Sequence, residues 1–322
     1  DECMPHYYRV TNRHGQGAET IMRAEALFYQ GHVTDAHIEL ERAYAQVGGN
    51  GQINMALCCD FLSWRLSLHT DVERRYTFSE RYAALLRYHD ASWINIWSAT
   101  SAYYHALRGE TDKIPEIFSQ HRLSDIHLLA PGKPMMEMIE NQVYLAQGAY
   151  AKVVVRSAEL LAACEAMHYA LVALHIRIQT AAAYARLGKP ETAHTWLQKS
   201  LSDAGPDGLV MPFAENYSLL KPLLARETRS AFTARITALG EAAQARGAER
   251  LRPAAFRALT AREFEIVELM AQRLSNREIA QKCYLSEGSV KQYVNQIYSK
   301  LHIEGDTRTK RAQLAALLRE KT

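Results

Sequence analysis

Apolar residues recur every three or four positions along almost the whole chain from residue 19 onward, with polar residues between them. This period places the apolar side chains on one face of an α-helix. Glycines interrupt the pattern at Gly31, Gly109, Gly148 and Gly188. Because a left-handed residue commonly ends a helix and glycine adopts that conformation without strain, each glycine predicts a turn between two helices.

The positions of these glycines predict a repeat. Gly109, Gly148 and Gly188 are about 40 residues apart, and the interval that precedes Gly109 is about twice as long. A further unit is therefore expected near residue 70, where the segment SLHTDVERRYTF has no glycine. Five helix pairs at this period indicate an α-solenoid of the tetratricopeptide kind, in which each unit buries its apolar face on its neighbour.

Three helix-start signals follow one another near the C-terminus. Thr260 with Glu263 and Ser275 with Glu278 are capping-box pairs, and Ser286 is a simpler N-cap. The predicted helices span about residues 261–273, 276–283 and 287–301. Two short helices joined by a turn of about three or four residues are typical of a helix-turn-helix.

The third predicted helix has two different faces. Its inner face carries Val290, Tyr293, Val294, Ile297 and Leu301. Its outer face carries Lys291, Gln292, Asn295 and Gln296. Lysine can donate to guanine and amide side chains can pair with adenine, so this face is suited to the major groove. The pattern alone also fits a small bundle with a solvated polar face.

The C-terminal stretch resembles the LuxR-type helix-turn-helix family. The residues that carry the resemblance are LTAREFEIV at 259–267, LSNREIA at 274–280, LSEGSVKQYVNQIYSKLHI at 285–303, and the helix after Thr309. Two positions depart from the family pattern: Tyr293 stands where histidine is usual, and GDTRTKR is a longer entry to the last helix. The resemblance implies double-stranded DNA as a partner.

The same resemblance implies roles for individual residues. Lys291, Gln292 and Asn295 occupy the base-reading and adjacent positions, while Ser289 would contact phosphate. Asn276 and Arg277 would begin the preceding helix close to the DNA backbone. The last helix, at about 309–320, commonly forms a homodimer contact in the family. Its candidate contact residues are Ala312, Leu314, Ala315 and Leu318.

The end of the repeat region resembles MalT-like members of the LuxR family. The resemblance covers about forty residues that begin at Leu187 and is looser than the C-terminal one. MalT-like proteins usually carry an ATP-binding module before the repeats. This chain has no G-x-x-x-x-G-K-[ST] loop. Either the chain is the C-terminal part of a longer protein or it belongs to a shorter architecture.

Charge is unevenly distributed along the chain. From Leu251 onward there are 13 Lys and Arg against 8 Asp and Glu, a net charge of +5, whereas the whole chain carries +3. The positive charge is therefore concentrated in the C-terminal segment, as expected where one end of a protein meets phosphates.

Composition excludes several other classes. No apolar run reaches the roughly 18 residues that span a bilayer, and no secretory signal is visible, so we expect a cytoplasmic protein without membrane contact. The 5 cysteines contain no C-x-x-C pair, which argues against disulfides and zinc. The common hydrolase and dinucleotide motifs are missing, so we expect neither an enzyme nor a cofactor.

Three aromatic residues of the repeat region are candidates for effector binding. Trp93, Trp97 and Tyr104 follow helical spacings and share one face. Aromatic side chains with a polar tip suit a small-molecule or peptide ligand on the concave side of a solenoid. The structural alternative, which we favour, is that they form the packing between helices.

These observations predict an all-α protein in which a tetratricopeptide-like α-solenoid precedes a four-helix LuxR-type domain. The expected segments are an edge or linker at 1–17, repeats at 18–240, a linker at 241–257, and the DNA-binding domain at 258–322. The predicted function is sequence-specific transcription regulation, with an unidentified effector received by the repeats. The alternative is an interaction scaffold whose C-terminal bundle does not bind DNA.

Overall fold

The computed structural model describes residues 15–47, 52–71, 77–87, 91–126, 130–250, 254–256 and 258–319. Throughout these residues the regular secondary structure is helical and no strand is present, which confirms the all-α prediction. Most of the predicted edge at 1–17 lies outside the described residues. The chain divides into two compact units, residues 1–244 (unit 1) and 245–322 (unit 2).

Unit 1 is a series of helices joined by short turns. Its members are α1 (Ala18–Tyr29), α2 (Val33–Val47), α3 (Ile53–His69), α4 (Phe78–Leu86), α5 (Ala91–Leu107), α6 (Glu116–Ser119), α7 (Lys133–Ala146), α8 (Tyr150–Ala166), α9 (Ala170–Arg186), α10 (Pro190–Ala204), α11 (Met211–Glu215), α12 (Tyr217–Leu224) and the start of α13 (Ala231–Arg250). Neighbouring helices pack most extensively within the pairs α1 and α2, α8 and α9, and α9 and α10.

The four periodic glycines end helices as the sequence predicts. Gly31, Gly109, Gly148 and Gly188 have positive φ values of 80°, 69°, 76° and 71°. Each glycine N–H donates to the carbonyl three residues earlier, and the next N–H donates to the carbonyl five residues earlier. This is the Schellman arrangement, which satisfies carbonyl groups left over at a helix end.

Two of the five predicted helix pairs differ from a regular repeat. After Gly109 the chain forms the short helix α6 between 3₁₀ turns at Thr111–Lys113 and Leu123–Asp125, and Pro115 precedes α6. Near residue 70, α3 ends at His69 with an extended Thr70, and residues 72–76 lie outside the described residues. The assignment of the pairs to the tetratricopeptide kind stays a prediction.

The two ends of unit 1 meet in a single hydrophobic core. Buried side chains of α1 and α2, including Phe28 and Leu40, share this core with Phe213, Tyr217 and Ile236 from the last helices. Helix α1 also contacts α11 directly. A period of about 40 residues describes contacts between neighbouring pairs and does not predict this closure.

A buried ion pair connects α3 with α11, next to Tyr29 of α1. Arg65 on α3 donates from Nε and Nη2 to the two carboxylate oxygens of Glu215, at 2.7 and 3.0 Å, and from Nη1 to the Tyr29 hydroxyl at 2.9 Å. The Tyr103 hydroxyl donates to Glu215 at 2.9 Å. The side chains of Arg65 and Glu215 are almost fully buried. Burial would raise the pKa of Glu215, but the Arg65 guanidinium holds it below its usual value.

Helix α13 extends into the segment predicted as a linker. Its last residues, up to Arg250, lie in the predicted linker 241–257, and the division between the units falls within the helix. The segment GEAAQARGAER is rich in alanine, glutamate and arginine, which favour helix. Gly240 allows close packing here, because a Cβ atom at this position would lie 2.2 Å from Cγ of Tyr217.

After the end of α13, the described residues of unit 2 form four α-helices: α14 (Ala261–Ala271), α15 (Asn276–Cys283), α16 (Glu287–Lys300) and α17 (Thr307–Arg319). Every helix contributes to one apolar core, which includes Ile266, Val267, Ile279, Val290 and Ile297. The core therefore fixes the orientation of α16 relative to α14 and α15.

Candidate nucleic-acid interface

The first helix of unit 2 is anchored at its start. The Thr260 hydroxyl accepts from the Glu263 N–H at 3.2 Å, and the Glu263 carboxylate accepts from the Thr260 N–H at 2.7 Å, which completes the predicted capping box. Lys300, the last residue of α16, donates to the same carboxylate at 2.8 Å. The first turn of α14 is thereby tied to the last turn of α16.

The pKa of Glu263 reflects these contacts. Burial would raise its pKa, but the hydrogen bonds from Lys300 and Thr260 hold the pKa below its usual value. Glu263 therefore stays ionised near neutral pH and keeps both helices in place.

Helix α15 and the turn after it have the geometry that the caps predict. Ser275 accepts from the Glu278 N–H at 3.3 Å, and Ile279, Ala280 and Cys283 are buried. Residues 284–286 separate α15 from α16. Tyr284 ends α15 with a left-handed backbone, φ 54°, and its side chain is 96% exposed. The helices predicted at 276–283 and 287–301 leave Tyr284 in the turn between them, but the sequence pattern did not indicate this exposure.

Helix α16 presents its polar face outward. Val290, Val294 and Ile297 are buried, and Tyr293 and Leu301 are half-buried against the same core. The four side chains predicted to face outward are all exposed: Lys291, Gln292, Asn295 and Gln296. Tyr298 is also buried, and sequence reasoning did not include it in the inner face. A rigid helix therefore holds donor and acceptor groups on one accessible surface.

The N-termini of α15 and α16 carry the residues expected near the DNA backbone. The Ser286 hydroxyl accepts from the Ser289 N–H at 3.0 Å, and the two serine Oγ atoms lie 2.8 Å apart. Asn276 and Arg277 are the first residues of α15, with Asn276 half-buried and Arg277 exposed. Helix N-termini favour anions because their N–H groups and dipole point outward.

Two exposed cationic side chains on this surface have no partner within the described residues. Among the residues that the structure describes, neither Lys291 nor Arg277 makes an ion pair or a side-chain hydrogen bond. Arg262, by contrast, is bound to Glu265 and to the backbone carbonyl of Cys283. Lys291 on α16 and Arg277 on α15 are therefore available to meet a phosphate or a base edge.

Helix α17 differs from the expectation at one position. Leu314 is 1% exposed and lies in the core of unit 2, so it is not available as dimer surface. The physical reason is the helical period: the face that Leu314 occupies is the one that closes the domain core. Ala312 is exposed, and Ala315 and Leu318 are half-buried, so these three retain accessible surface.

The aromatic candidates of unit 1 lie within interhelical packing. Tyr104 is buried, with its ring centroid 5.9 Å from that of Trp64 and 5.6 Å from that of Phe78. The ring of half-buried Trp97 lies 4.7 Å from that of Tyr82. Trp93 is half-buried on the same helix. These positions favour the structural alternative over an effector site.

Comparison with known proteins assigns unit 2 to a family. Residues 257–312 match the model of the bacterial regulatory proteins of the luxR family. The match contains α14, α15 and α16 and the first part of α17. The C-terminal unit is therefore a LuxR-type helix-turn-helix domain.

A curated relative supports this assignment. The chain is 45% identical over 49 residues to the transcriptional regulatory protein LnrK of Bacillus subtilis (strain 168). The similar segment covers 15% of this chain and 22% of LnrK, so the chain spans about a fifth of that relative. No solved structure matches the chain significantly. Among the described helices, none has the length and apolar character needed to cross a membrane.

Proposed function

We propose that this chain is a transcription regulator that reads double-stranded DNA with α16. The observation that carries the proposal is the exposed polar face of α16, held on an apolar core inside a LuxR-type domain. Lys291, Gln292 and Asn295 would contact base edges in the major groove. Ser289, Asn276 and Arg277 would contact phosphates and fix the register of the helix.

The domain would act as a homodimer, and unit 1 would receive the signal. The accessible side chains of Ala312, Ala315 and Leu318 support a contact through α17. Two α16 helices related by a two-fold axis would read a pseudo-symmetric site. A ligand or protein partner bound to unit 1 would change the spacing or the accessibility of the two α16 helices. In this proposal the helical repeats of unit 1 are MalT-like and serve as the part of the chain that receives the signal.

Selection of binding sites from a random duplex pool tests the base-reading role. The full chain is expected to enrich a pseudo-palindromic sequence. Lys291→Ala and Gln292→Ala should relax the preference at different base pairs, by roughly 1 to 3 kcal/mol at each affected position. Gln272→Ala, an exposed glutamine at the end of α14, is the matched control and should leave the selected sequence unchanged.

Two results would contradict the proposal. Enrichment of the same sequence by Lys291→Ala and Gln292→Ala would show that α16 does not read bases. Failure of the full chain to bind any duplex at low salt would favour the interaction scaffold instead.

A further inference from the structure

Unit 1 contains an open cleft of about 1060 Å³ between α1 and the helices α8, α9 and α10. Met22, Glu25, Ala26 and Tyr29 line one side of it from α1. This volume is slightly above the usual range of small-molecule sites, which is about 300 to 1,000 Å³. The cleft is therefore large enough for an organic ligand.

Helix α1 has two faces with different roles. Ile21, Ala24 and Phe28 are buried in the core of unit 1. The residues that line the cleft, at positions 22, 25, 26 and 29, follow the i, i+3, i+4, i+7 spacing of a second face. Met22 is 69% exposed although it lies in this concave surface. An apolar side chain thus stands at the edge of the cleft without a partner to cover it.

The opposite side of the cleft is also mainly apolar. Leu161 lines it from α8, Leu171 from α9, and Leu209 from the loop after α10. Tyr169 adds a half-buried aromatic ring. Aromatic and aliphatic surfaces of this kind bind the apolar body of a ligand and, through the ring face, a cation.

The charges of the cleft are predominantly negative. Glu25, Glu165, Asp203 and Asp207 line it, against Arg177 and Lys199. Both cations are bound to the same carboxylate: Asp203 lies 3.2 Å from Arg177 and 2.7 Å from Lys199.

Three other carboxylates of the cleft have no ion-pair partner among the described residues. Within the described part of the chain, the carboxylates of Glu25, Glu165 and Asp207 make no ion pair or hydrogen bond. Glu25 is half-buried, whereas the other two are exposed. Burial raises the pKa of Glu25, although the positive charge of Arg65 acts in the opposite direction.

We infer that the cleft binds a small organic cation with an apolar body, with its charged group at Glu25. The charge complementarity comes from the unpaired carboxylates, and the apolar body would lie against Met22 and the leucines of the opposite side. A cation next to a half-buried carboxylate gains more than one at an exposed carboxylate, because the pair is less screened by water. The idea that this cleft receives the regulatory signal rests on the proposed function. The idea that it binds a cation does not depend on that function.

Calorimetric titration of the full chain with three probes of equal length tests the inference. Octylammonium is expected to bind at least about tenfold more tightly than octanol or octanoate, since only the cation gains the ion pair. Glu25→Gln should abolish this preference, and Glu165→Gln, at an exposed position, should reduce it. Glu159→Gln, on the same helix as Glu165 but outside the cleft, is the matched control.

Each outcome decides the inference. Equal binding of the three probes, or tighter binding of octanoate, would overturn it, as would unchanged selectivity in Glu25→Gln. Circular dichroism of each variant checks that the fold is intact. The DNA affinity of the full chain, measured with and without octylammonium, separates the two proposals. Selective cation binding without any DNA binding supports the cleft and contradicts the regulator. A DNA affinity that bound cation does not change contradicts the signalling role.

Discussion

The two units differ in where their functional polar side chains lie: unit 1 buries an ion pair in its interior, and unit 2 exposes lysine and amide groups on its surface. In unit 1, Arg65 and Glu215 are buried and joined across 150 residues of sequence. In unit 2 the buried side chains are mostly apolar, and the amide and lysine groups of α16 are exposed. A buried ion pair can specify which segments come together, whereas exposed polar groups remain free for a partner. The first arrangement closes unit 1, and the second makes unit 2 a candidate for recognition.

Removing the charge of Glu215 should have the largest effect on stability. Glu215→Gln leaves the Arg65 guanidinium buried without a counter-charge, which typically costs about 3 to 5 kcal/mol. Urea unfolding monitored by tryptophan fluorescence measures this loss of stability, because all 4 tryptophans lie in the repeat region. Glu191→Gln is the control: its pair with Arg226 is on the surface, with side chains 80% and 43% exposed, and should contribute about 0 to 1 kcal/mol. Equal losses in the two variants would show that the buried pair does not hold unit 1 closed.

Acid should destabilise unit 1 at a higher pH than unit 2. His175 is buried beside Tyr29 and Tyr103, and burial lowers its pKa from 6.5 to about 4, with the charge of Arg65 acting in the same direction and Glu215 against it. Between these values the unfolded chain binds the extra proton, so stability should fall as the pH decreases from about 6.5 to about 4, by up to about 3 kcal/mol. The depressed pKa of Glu263 acts only at lower pH, where stability is lost as the carboxylate becomes protonated.

The fluorescence-detected urea midpoint between pH 7 and pH 5 checks this expectation. His175→Phe keeps an aromatic ring against Tyr29 and Tyr103 but does not titrate, so its midpoint should depend less on pH. A variant with the same pH dependence as the original chain would assign the effect to other groups.

Two glycines of unit 1 separate backbone strain from packing. At Gly148 an added Cβ atom would have no other atom within 4 Å. Gly148→Ala should therefore lower the free energy of unfolding only by the strain of a left-handed alanine, about 1 kcal/mol. At Gly31 the Cβ would lie 2.7 Å from Leu239 Cδ1 and 2.8 Å from Val210 Cγ2, so Gly31→Ala should cost about 1 to 3 kcal/mol more. The difference between the two urea midpoints measures the packing of α1 on the last helices. Equal midpoints would contradict that contact.

Unit 2 ends its helices without glycine, and one substitution there should be stabilising. Arg273, Tyr284 and His302 have φ values of 64°, 54° and 51°, and each N–H donates to the carbonyl three residues earlier. Tyr284→Gly removes the strain at a side chain that is 96% exposed, so unit 2 should gain up to about 1 kcal/mol. The rate of hydrogen exchange of amides in α15 and α16 measures this gain in stability. Faster exchange in the variant would show that the tyrosine ring contributes contacts of its own.

The local features of the fold could be predicted from sequence. The hydroxyl caps at Thr260, Ser275 and Ser286 form as predicted, because capping depends on residues three positions apart. Gly148 and Gly188 end helices for the same local reason. The polar face of α16 follows from the helical period alone.

The long-range features could not be predicted. No local pattern connects Arg65 with Glu215, and the cleft combines one face of α1 with helices more than 100 residues later in the chain. Leu314 was assigned to the surface from the family resemblance, but the packing of α17 against the other helices of unit 2 buries it in the core. His121 and His168 also end helical segments with positive φ. Because neither position is a glycine, no sequence signal marked these two helix ends.

The most direct test of the account is the affinity of the full chain for duplex DNA across a salt series. The logarithm of the binding constant should fall steeply and linearly with the logarithm of salt concentration, because phosphates release counterions when cations bind them. Lys291→Ala should weaken binding, whereas Lys189→Ala, which removes the same charge from an exposed position in unit 1, should have little effect. Binding that is insensitive to salt and equal in both variants would contradict the claim that the exposed face of α16 recognises DNA.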